Sequence, residues 1–209
     1  MIRSQTLFVF AAVGIVAALA GALLACGVPQ SPSASVALQN GTMIDPPRPT
    51  QSFALVDQND APFDNTRMNG HWTLMLFGFT NCGDVCPTTL AMLASVTKSL
   101  TDLPAAQRPQ VVFVSVDATR DSSQVMKAYL QHFDPSFIGV TGAQADLDTF
   151  ARSLGIASAI RPLDNGGYAV EHSASILAFN HHGEMRALFS PPQTVASLTS
   201  DYKRLAGFQ

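Results

Sequence analysis

The sequence predicts an α/β domain in which buried strands alternate with helices and an antiparallel hairpin near the C-terminus completes the sheet. Two continuous apolar runs, at residues 73–79 and 111–116, have the length and composition of strands buried on both faces. Each run is followed by a stretch with apolar residues at helical spacing. Two cysteines, Cys82 and Cys86, stand where the first strand passes into its helix. This junction is where we expect the functional site.

The N-terminal residues are predicted to attach the chain to a membrane. Residues 7–25 form an almost unbroken apolar run after Arg3, close to the roughly 20 residues that span a hydrocarbon core. Residues 23–26, Leu-Leu-Ala-Cys, also resemble a bacterial lipobox, in which cleavage before Cys26 leaves a lipid-bearing cysteine. Both alternatives stay open. Both assign residues 1–26 to a signal anchor or a lipoprotein signal peptide and put the domain outside the cytoplasm.

A flexible linker is predicted to follow this segment. Residues 27–50 are rich in Pro, Ser, Gln and Ala, a composition that buries too little apolar area to fold. About 20 such residues, fully extended, reach about 65–70 Å. Residues 51–209 then form one domain, because no repeat and no second linker divides them.

The domain is predicted to open with a short hairpin, the first buried strand and the first helix. Residues 52–57 alternate and precede a polar turn, which is typical of a strand that begins a hairpin. Residues 73–79 form the buried strand and residues 88–100 the helix, with Pro87 tolerated in its first turn. The cysteine pair therefore lies between strand and helix.

The alternation continues with residues 111–116 as a second buried strand. A second helix over residues 122–133 has Asp121 or Ser122 as its N-cap. A strand at 137–140 and a third helix at 143–154 follow. These elements make three strand-then-helix units, which favours parallel strands.

The C-terminal part is predicted as a loop, a hairpin and a helix. The loop covers residues 155–168, the hairpin strands are 173–180 and 184–189, and the last helix is 193–205. The order βαβαβα followed by ββα, with a cysteine pair after the first buried strand, is the thioredoxin-like layout. The predicted fold is thus thioredoxin-like with an added N-terminal β-hairpin.

The charge balance argues against nucleic acid as a partner. The chain has 12 Lys and Arg against 15 Asp and Glu, a formal net charge of −3. The basic residues are spread singly, so the sequence lacks the positive patch that phosphate backbones require.

The spacing of Cys82 and Cys86 permits several chemistries. Residues four apart in the first turn of a helix have Cβ atoms about 5–6 Å apart, so the sulfurs can share an ion or form a disulfide. A helix N-terminus also favours the thiolate form. Two thiolates suit soft ions such as Cu(I) or Zn. Metal binding, thiol exchange and a static disulfide all remain open from the spacing alone.

A longer segment around the pair resembles the signature of the Sco/SenC family. Residues 77–90 read FGFTNCGDVCPTTL, where the family usually has F-G-[FY]-T-H-C-P-D-[VI]-C-P-T-T-L. Further matches are VSVD at 114–117 with Arg120-Asp121, FIGVTG at 137–142, and Glu171-His172-Ser173. The sequence departs from the family at Asn81, Gly83, Ala118 and Glu171. The resemblance extends from about residue 50 to the C-terminus.

The resemblance implies a copper site formed by Cys82, Cys86 and His172. His172 is predicted in the loop before the strand at 173–180, which lies beside the cysteine turn in thioredoxin-like folds. The family's activity is metallochaperone delivery of copper to the copper centre of cytochrome c oxidase subunit II. Other periplasmic copper carriers are further implied partners. The implied location is the bacterial inner membrane, with the domain facing the periplasm or another extracytoplasmic side.

An enzymatic alternative uses the same thiols. Cys82 and Cys86 would then be catalytic in a thiol-disulfide oxidoreductase that keeps oxidase cysteines reduced, or in redox signalling. The alternatives separate at His172, which copper binding needs and thiol exchange does not. Oxidoreductases of this fold usually carry two residues between their cysteines, and here there are three. The metallochaperone, which is not an enzyme, is therefore the favoured interpretation.

Other chemically able side chains receive lesser roles. The methionines are dispersed, which is typical of core packing. Asp117 and Asp121 are predicted to cap and position the loop after the second buried strand, and Asp84 to tune the cysteine turn. No metal role is expected for His71, His132, His181 or His182.

Overall fold

The structure, a computed structural model, describes residues 37–163 and 166–207. The predicted signal anchor or signal peptide, residues 1–26, and the first part of the predicted linker lie outside these residues. Within the described part of the chain, no helix combines the length and the apolar character needed to cross a membrane.

The described domain contains ten strands, four α-helices and two short 3-10 helices, Asn65–Arg67 and Ala105–Gln107. The strands are β1 (Gly41–Pro49), β2 (Ala54–Asp57), β3 (Pro62–Asp64), β4 (Trp72–Gly78), β5 (Pro109–Ser115), β6 (Ile138–Thr141), β7 (Ser158–Pro162), β8 (Tyr168–His172), β9 (Ile176–Phe179) and β10 (Glu184–Phe189). The helices are α1 (Val85–Ser99), α2 (Ser123–Leu130), α3 (Gln144–Ser153) and α4 (Val195–Gly207).

Eight of these strands form one mixed sheet in the order β1-β10-β9-β4-β5-β6-β2-β3. β4, β5 and β6 are parallel, and β9 of the C-terminal hairpin pairs antiparallel with β4. The β2–β3 hairpin joins the other side through β6. The predicted thioredoxin-like layout with an added N-terminal hairpin is confirmed.

The apolar side chains of β4 divide between two cores, one on each face of the sheet. All seven residues of β4 are buried. Leu74 and Leu76 pack into a cluster with side chains of α1, α2 and α4, whereas Met75 and Phe77 pack with α3. Full burial of each such side chain stabilises the fold by about 1.5–3 kcal/mol. The continuous apolar run therefore fixes β4 as the central strand that leads to the cysteines.

The predicted linker is wrong for residues 41–49, which form the edge strand β1. Its prolines, which lack an N–H, are tolerated because β1 pairs on one side only, with β10. The pairing is interrupted between Met43 and Arg48, where Pro46 and Pro47 lie. The buried carboxylate of Asp201 in α4 accepts hydrogen bonds from the backbone N–H groups of residues 39–41 at 2.6–3.1 Å. The proline-rich composition therefore gave no sign of this strand, which is stabilised by its contacts with β10 and with Asp201 of α4.

The predicted loop at 155–168 is also wrong, because β7 and β8 form a separate two-stranded sheet there. Four of the five residues of β7 are exposed, so the strand has no apolar alternation that a sequence pattern could reveal. An exposed ion pair joins Arg161 and Glu171 across the two strands. His172 is consequently the last residue of β8 and not part of a loop, and β9 begins at Ile176.

Most other boundaries shift by a few residues. Of the two predicted N-caps of the second helix, Ser122 is the N-cap, and its hydroxyl accepts from the Val125 N–H at 3.3 Å. The first helix begins at Val85, with Pro87 in its first turn as expected.

Candidate metal centre

The cysteine turn links the end of β4 to the start of α1. Cys86 lies in the first turn of α1, but Cys82 precedes the helix, in a turn closed by its N–H bond to the Phe79 carbonyl at 3.2 Å. The Cys86 N–H points at the Cys82 Sγ, 3.4 Å away. The sulfur of Cys82 therefore lies against the unsatisfied N–H groups at the helix N-terminus.

His172, the last residue of β8, lies next to this turn. Its Nε2 lies 3.5 Å from the Cys86 Sγ, and the three ligand atoms of Cys82, Cys86 and His172 all lie within 4.8 Å of one another. Two ligands bound to one ion by bonds of about 2.0–2.3 Å cannot be more than about 4.6 Å apart. The three side chains therefore have nearly the spacing that one shared ion requires.

The hydrogen bond of His172 leaves its inner nitrogen free to ligate. Nδ1 lies 3.1 Å from the Ser173 carbonyl oxygen, which can only accept, so Nδ1 carries the proton. Nε2 then presents its lone pair to the cysteines. Burial lowers the pKa of His172 below its ordinary 6.5 and outweighs the hydrogen bond to Ser173. The ring is accordingly neutral at neutral pH, as a metal ligand must be.

The two thiols differ in acidity because they differ in burial. Burial raises the pKa of Cys82, but hydrogen bonds from the backbone of Cys86, Asp84 and Val85 outweigh it, and the pKa falls below its ordinary 9.0. Cys86 is 1% exposed, and burial raises its pKa to about 12, an effect that the nearby Cys82 reinforces. A bound soft cation would offset the cost of burying the Cys86 thiolate, because it takes the place of the thiol proton and neutralises the charge.

A buried polar network supports the turn from below. The carboxylate of Asp121 accepts from the Thr80 hydroxyl and the Ser115 hydroxyl, both at 2.6 Å, and from the Thr80 N–H at 3.2 Å. Burial raises the pKa of Asp121, although these hydrogen bonds oppose the rise. Asp121 thus positions the loop after β5, as predicted, and also fixes the residue two positions before Cys82.

Two of the four departures from the family signature lie at the surface of the cysteine turn. Asn81 and Gly83 are both exposed. A Cβ at Gly83 would have no atom within 4 Å. Asp84 is the N-cap position of α1, but its carboxylate makes no capping bond and contacts only the Thr88 hydroxyl, at 3.4 Å.

His181 and His132 make contacts outside the group formed by Cys82, Cys86 and His172. Within residues 37–163 and 166–207, Cys82, Cys86 and His172 make the one group of three His, Cys, Asp or Glu side chains able to hold an ion. His181 packs edge-on against Trp72, and the Nδ1 of His132 lies 3.3 Å from the Tyr129 carbonyl.

Sequence reasoning missed three side chains around His172. The Phe79 ring meets the imidazole edge-on with centroids 5.9 Å apart. Arg120 lies against the rings of both Phe79 and Tyr168, and Tyr168 is on the same strand as His172. Phe79 and Arg120 belong to matched family segments, so a role beside the cysteines could have been inferred; Tyr168 gave no such signal.

Comparison with known proteins points to one family. The sequence model described as SCO1/SenC matches residues 42–207. A Stutzerimonas stutzeri protein whose name proposes copper binding is 33% identical over 81% of this chain and 84% of its own length. The mouse mitochondrial SCO2 homolog is 31% identical over 73% of this chain, but the match spans only 60% of that protein. The structure of Bradyrhizobium japonicum ScoI with copper bound has a TM-score of 0.67 at 31% identity, covering 75% of this chain and 99% of that one.

Proposed function

The chain belongs to the SCO1/SenC family, and from this membership and the geometry of the site we propose that it binds copper and takes part in the assembly of cytochrome c oxidase. The finer proposal is that it is a metallochaperone that delivers copper to the copper centre of oxidase subunit II. The observation that carries the proposal is the convergence of Cys82, Cys86 and the unprotonated nitrogen of His172 within 4.8 Å.

The donor set favours copper as the ion. Two thiolates and one imidazole are soft to intermediate ligands, which suit Cu(I) and exclude hard ions such as Mg²⁺ or Ca²⁺. Structural zinc sites usually have four protein ligands, and the described residues offer three. The copper-bound relative from Bradyrhizobium has the same fold, which supports the same ion here.

The exposure of the site suits delivery. An open groove beside the cysteines is lined mainly by apolar side chains, among them Phe79, Val85 and Val170. Cys82 is partly exposed on this side, whereas Cys86 is buried. An incoming ligand could therefore replace Cys82 first, while Cys86 and His172 still hold the ion. Three-coordinate copper leaves room for that ligand.

We further propose that the domain works on the extracytoplasmic side of a bacterial inner membrane. The proposal rests on the apolar run at residues 7–25, which lies outside the described residues. The membrane would hold the chain by its N-terminus, and other periplasmic copper carriers would load it. This location matches a target whose copper centre faces the same side.

Copper titration of the full chain in detergent tests the site. We expect one copper per chain, bound at least 100-fold more weakly in His172→Ala, because truncation leaves two ligands. His132→Ala, which alters a histidine away from the site, is the matched control and should bind like the wild type. Copper binding that is indifferent to His172 would refute the three-ligand site. Retained thiol-disulfide exchange in His172→Ala would then move the assignment to an oxidoreductase.

Delivery needs a separate experiment. Copper-loaded chain is mixed with the metal-free copper domain of an oxidase subunit II, and the metal content of each protein is measured after separation. Transfer that is faster than release to buffer supports the metallochaperone, because direct ligand exchange avoids free copper. Transfer at the rate of spontaneous release would contradict it.

A further inference from the structure

The strand that carries His172 belongs to the small sheet outside the main one. Within the described chain, no hydrogen-bonded strand pair joins β7 or β8 to the eight-stranded sheet. The position of His172 therefore depends on the short link, residues 173–175, to β9 and on side-chain contacts between β8 and the body of the domain. One set of these contacts is at the other end of β8, at Tyr168.

Tyr168 is held by a buried carboxylate and a guanidinium. Its hydroxyl donates to the Asp117 Oδ1 at 2.9 Å, and the side chain of Asp117 is 0% exposed. The Nε of Arg120 donates to the other oxygen of the same carboxylate. The guanidinium carbon of Arg120 also lies 4.0 Å from the centroid of the Tyr168 ring. We call Tyr168, Asp117 and Arg120 the Tyr168 cluster.

The Tyr168 cluster and the metal centre act on the same face of β8. Side chains two and four positions apart in a strand point the same way. Tyr168, Val170 and His172 are all half-buried, as is Ala169 on the other face, whereas Glu171 is exposed. Val170 packs against one core cluster of the domain. Contacts that hold Tyr168 therefore also set the orientation of β8, and with it the direction in which the His172 ring points toward the cysteines.

Arg120 connects the Tyr168 cluster to the site by a second route. Its guanidinium lies 5.4 Å from the centroid of the Phe79 ring, which meets the His172 ring edge-on. Phe79 in turn accepts the hydrogen bond that closes the cysteine turn. One partly buried ion pair thus contacts both the strand of the histidine and Phe79, the residue that closes the cysteine turn.

We propose that Tyr168, through its hydrogen bond to Asp117, is a positioning residue that keeps His172 oriented for copper. This inference rests on the proposed function. A ligand group that occupies its binding orientation only part of the time weakens the apparent affinity by that fraction. Removing one hydroxyl that donates to a carboxylate should therefore weaken copper binding by about tenfold.

The test compares Tyr168→Phe with Tyr202→Phe in the full chain in detergent. Tyr202 also donates a hydrogen bond, at 2.6 Å to the Gln107 carbonyl, but it packs against Trp72, at the end of β4 away from the cysteines. The readouts are copper affinity against a competing chelator, the melting temperature, and amide hydrogen exchange of β7 and β8 in the metal-free protein. Asp117→Asn is a second variant, which keeps an acceptor but removes its charge.

The expected result is a split between the two tyrosines. Tyr168→Phe should bind copper about tenfold more weakly and exchange faster in β7 and β8, with at most a small change in melting temperature. Asp117→Asn should follow it, and Tyr202→Phe should lower the melting temperature with wild-type copper affinity. Wild-type affinity and exchange in Tyr168→Phe, alongside lost binding in His172→Ala, would overturn the positioning role and leave the copper site standing. Unchanged binding in His172→Ala would overturn both.

Discussion

Cys82 and Cys86 are chemically unequal because one sulfur faces the helix N-terminus and the groove, and the other faces the core. Their pKa values move in opposite directions from the same ordinary value, and Cys86 reaches about 12. At pH 8 the Cys86 side chain is therefore overwhelmingly the protonated thiol. In the metal-free protein we therefore expect Cys82 to be the nucleophile. Cys86 is then a protonated thiol that becomes a ligand when it loses its proton to copper binding.

Alkylation checks this inequality. In the reduced, metal-free chain at pH 8, iodoacetamide should modify Cys82 at least about 100-fold faster than Cys86, because only thiolate reacts and Cys86 is also buried. Peptide mass mapping separates both sites from Cys26. The control is the unfolded chain in guanidinium, in which the two rates should converge. Equal rates in the folded chain would show that the thiols are equivalent.

Copper affinity should rise with pH because copper displaces thiol protons. Cys86, with a pKa of about 12, loses a proton on binding at every pH from 7 to 11, so its share of the affinity rises tenfold per unit. Copper binding releases a second proton, from Cys82, only at a pH below the lowered pKa of Cys82. His172 adds none at neutral pH, since its pKa is lowered. Chelator competition from pH 7 to 10 measures the slope, and an affinity independent of pH would contradict this assignment.

The three candidate ligands could be predicted, but the hydrogen bond that holds the strand of His172 through Tyr168 could not. Cys82, Cys86 and His172 lie in short segments that resemble the family signature. The hydrogen bond from Tyr168 to Asp117 joins residues 51 positions apart, and neither side chain is unusual in its local segment. Such a contact depends on tertiary packing, which a periodic pattern does not contain.

Among the elements, β4 shows how closely a strand and the site are packed together. A Cβ added at Gly78, the last residue of β4, would lie 2.5 Å from the Phe113 ring and 2.8 Å from the Cys86 Sγ. Both neighbours are buried, so neither can withdraw without moving others. Glycine at this position permits the cysteine turn to close over the end of the strand.

Gly78→Ala should therefore damage stability and the site together. We expect a loss of about 1–3 kcal/mol in the free energy of unfolding, the usual cost of overpacking a core, and weaker copper binding because the Cys86 sulfur is displaced. Gly83→Ala, where the added methyl meets nothing within 4 Å, is the matched control. Urea unfolding and copper titration measure both effects. A Gly78→Ala protein as stable as Gly83→Ala would refute the close packing.

The central strands of the sheet and the β2–β3 hairpin at one margin were predicted, but the edge strand β1 and the separate strand β7 were not. β4 and β5 are buried on both faces, so hydrophobicity alone identifies them. β1 lies at the edge of the sheet, where its pairing with β10 is interrupted around Pro46 and Pro47 and the carboxylate of Asp201 in α4 binds the backbone of residues 39–41. β7 is exposed. β1 and β7 are stabilised by contacts with other segments of the chain, and their own composition does not reveal those contacts.

At the scale of the whole molecule, the chain enters the domain at the same end of the sheet as the metal centre. Gly41 pairs with Phe189, Phe189 with Ile176, and Ile176 with Leu76 near the end of β4. With β1 paired, residues 27–36 as the proposed tether could span at most about 35 Å, about half the reach predicted for residues 27–50.

The carboxylate of Asp201 fixes this entry point, and its removal should free the start of β1. Asp201 is 0% exposed and is the acceptor for three consecutive backbone N–H groups. Asp201→Ala should lower the free energy of unfolding by about 2 kcal/mol, because hydrogen bonds to a charged group are lost. Limited proteolysis should cut residues 37–50 faster in this variant, whereas copper affinity should stay at the wild-type value, since β1 lies three strands from β4.

Asp102→Ala, which removes an exposed carboxylate paired with Lys203, is the control and should change neither cleavage nor stability. Cleavage of Asp201→Ala at the wild-type rate would mean that the pairing of β1 with β10 holds the segment without this carboxylate.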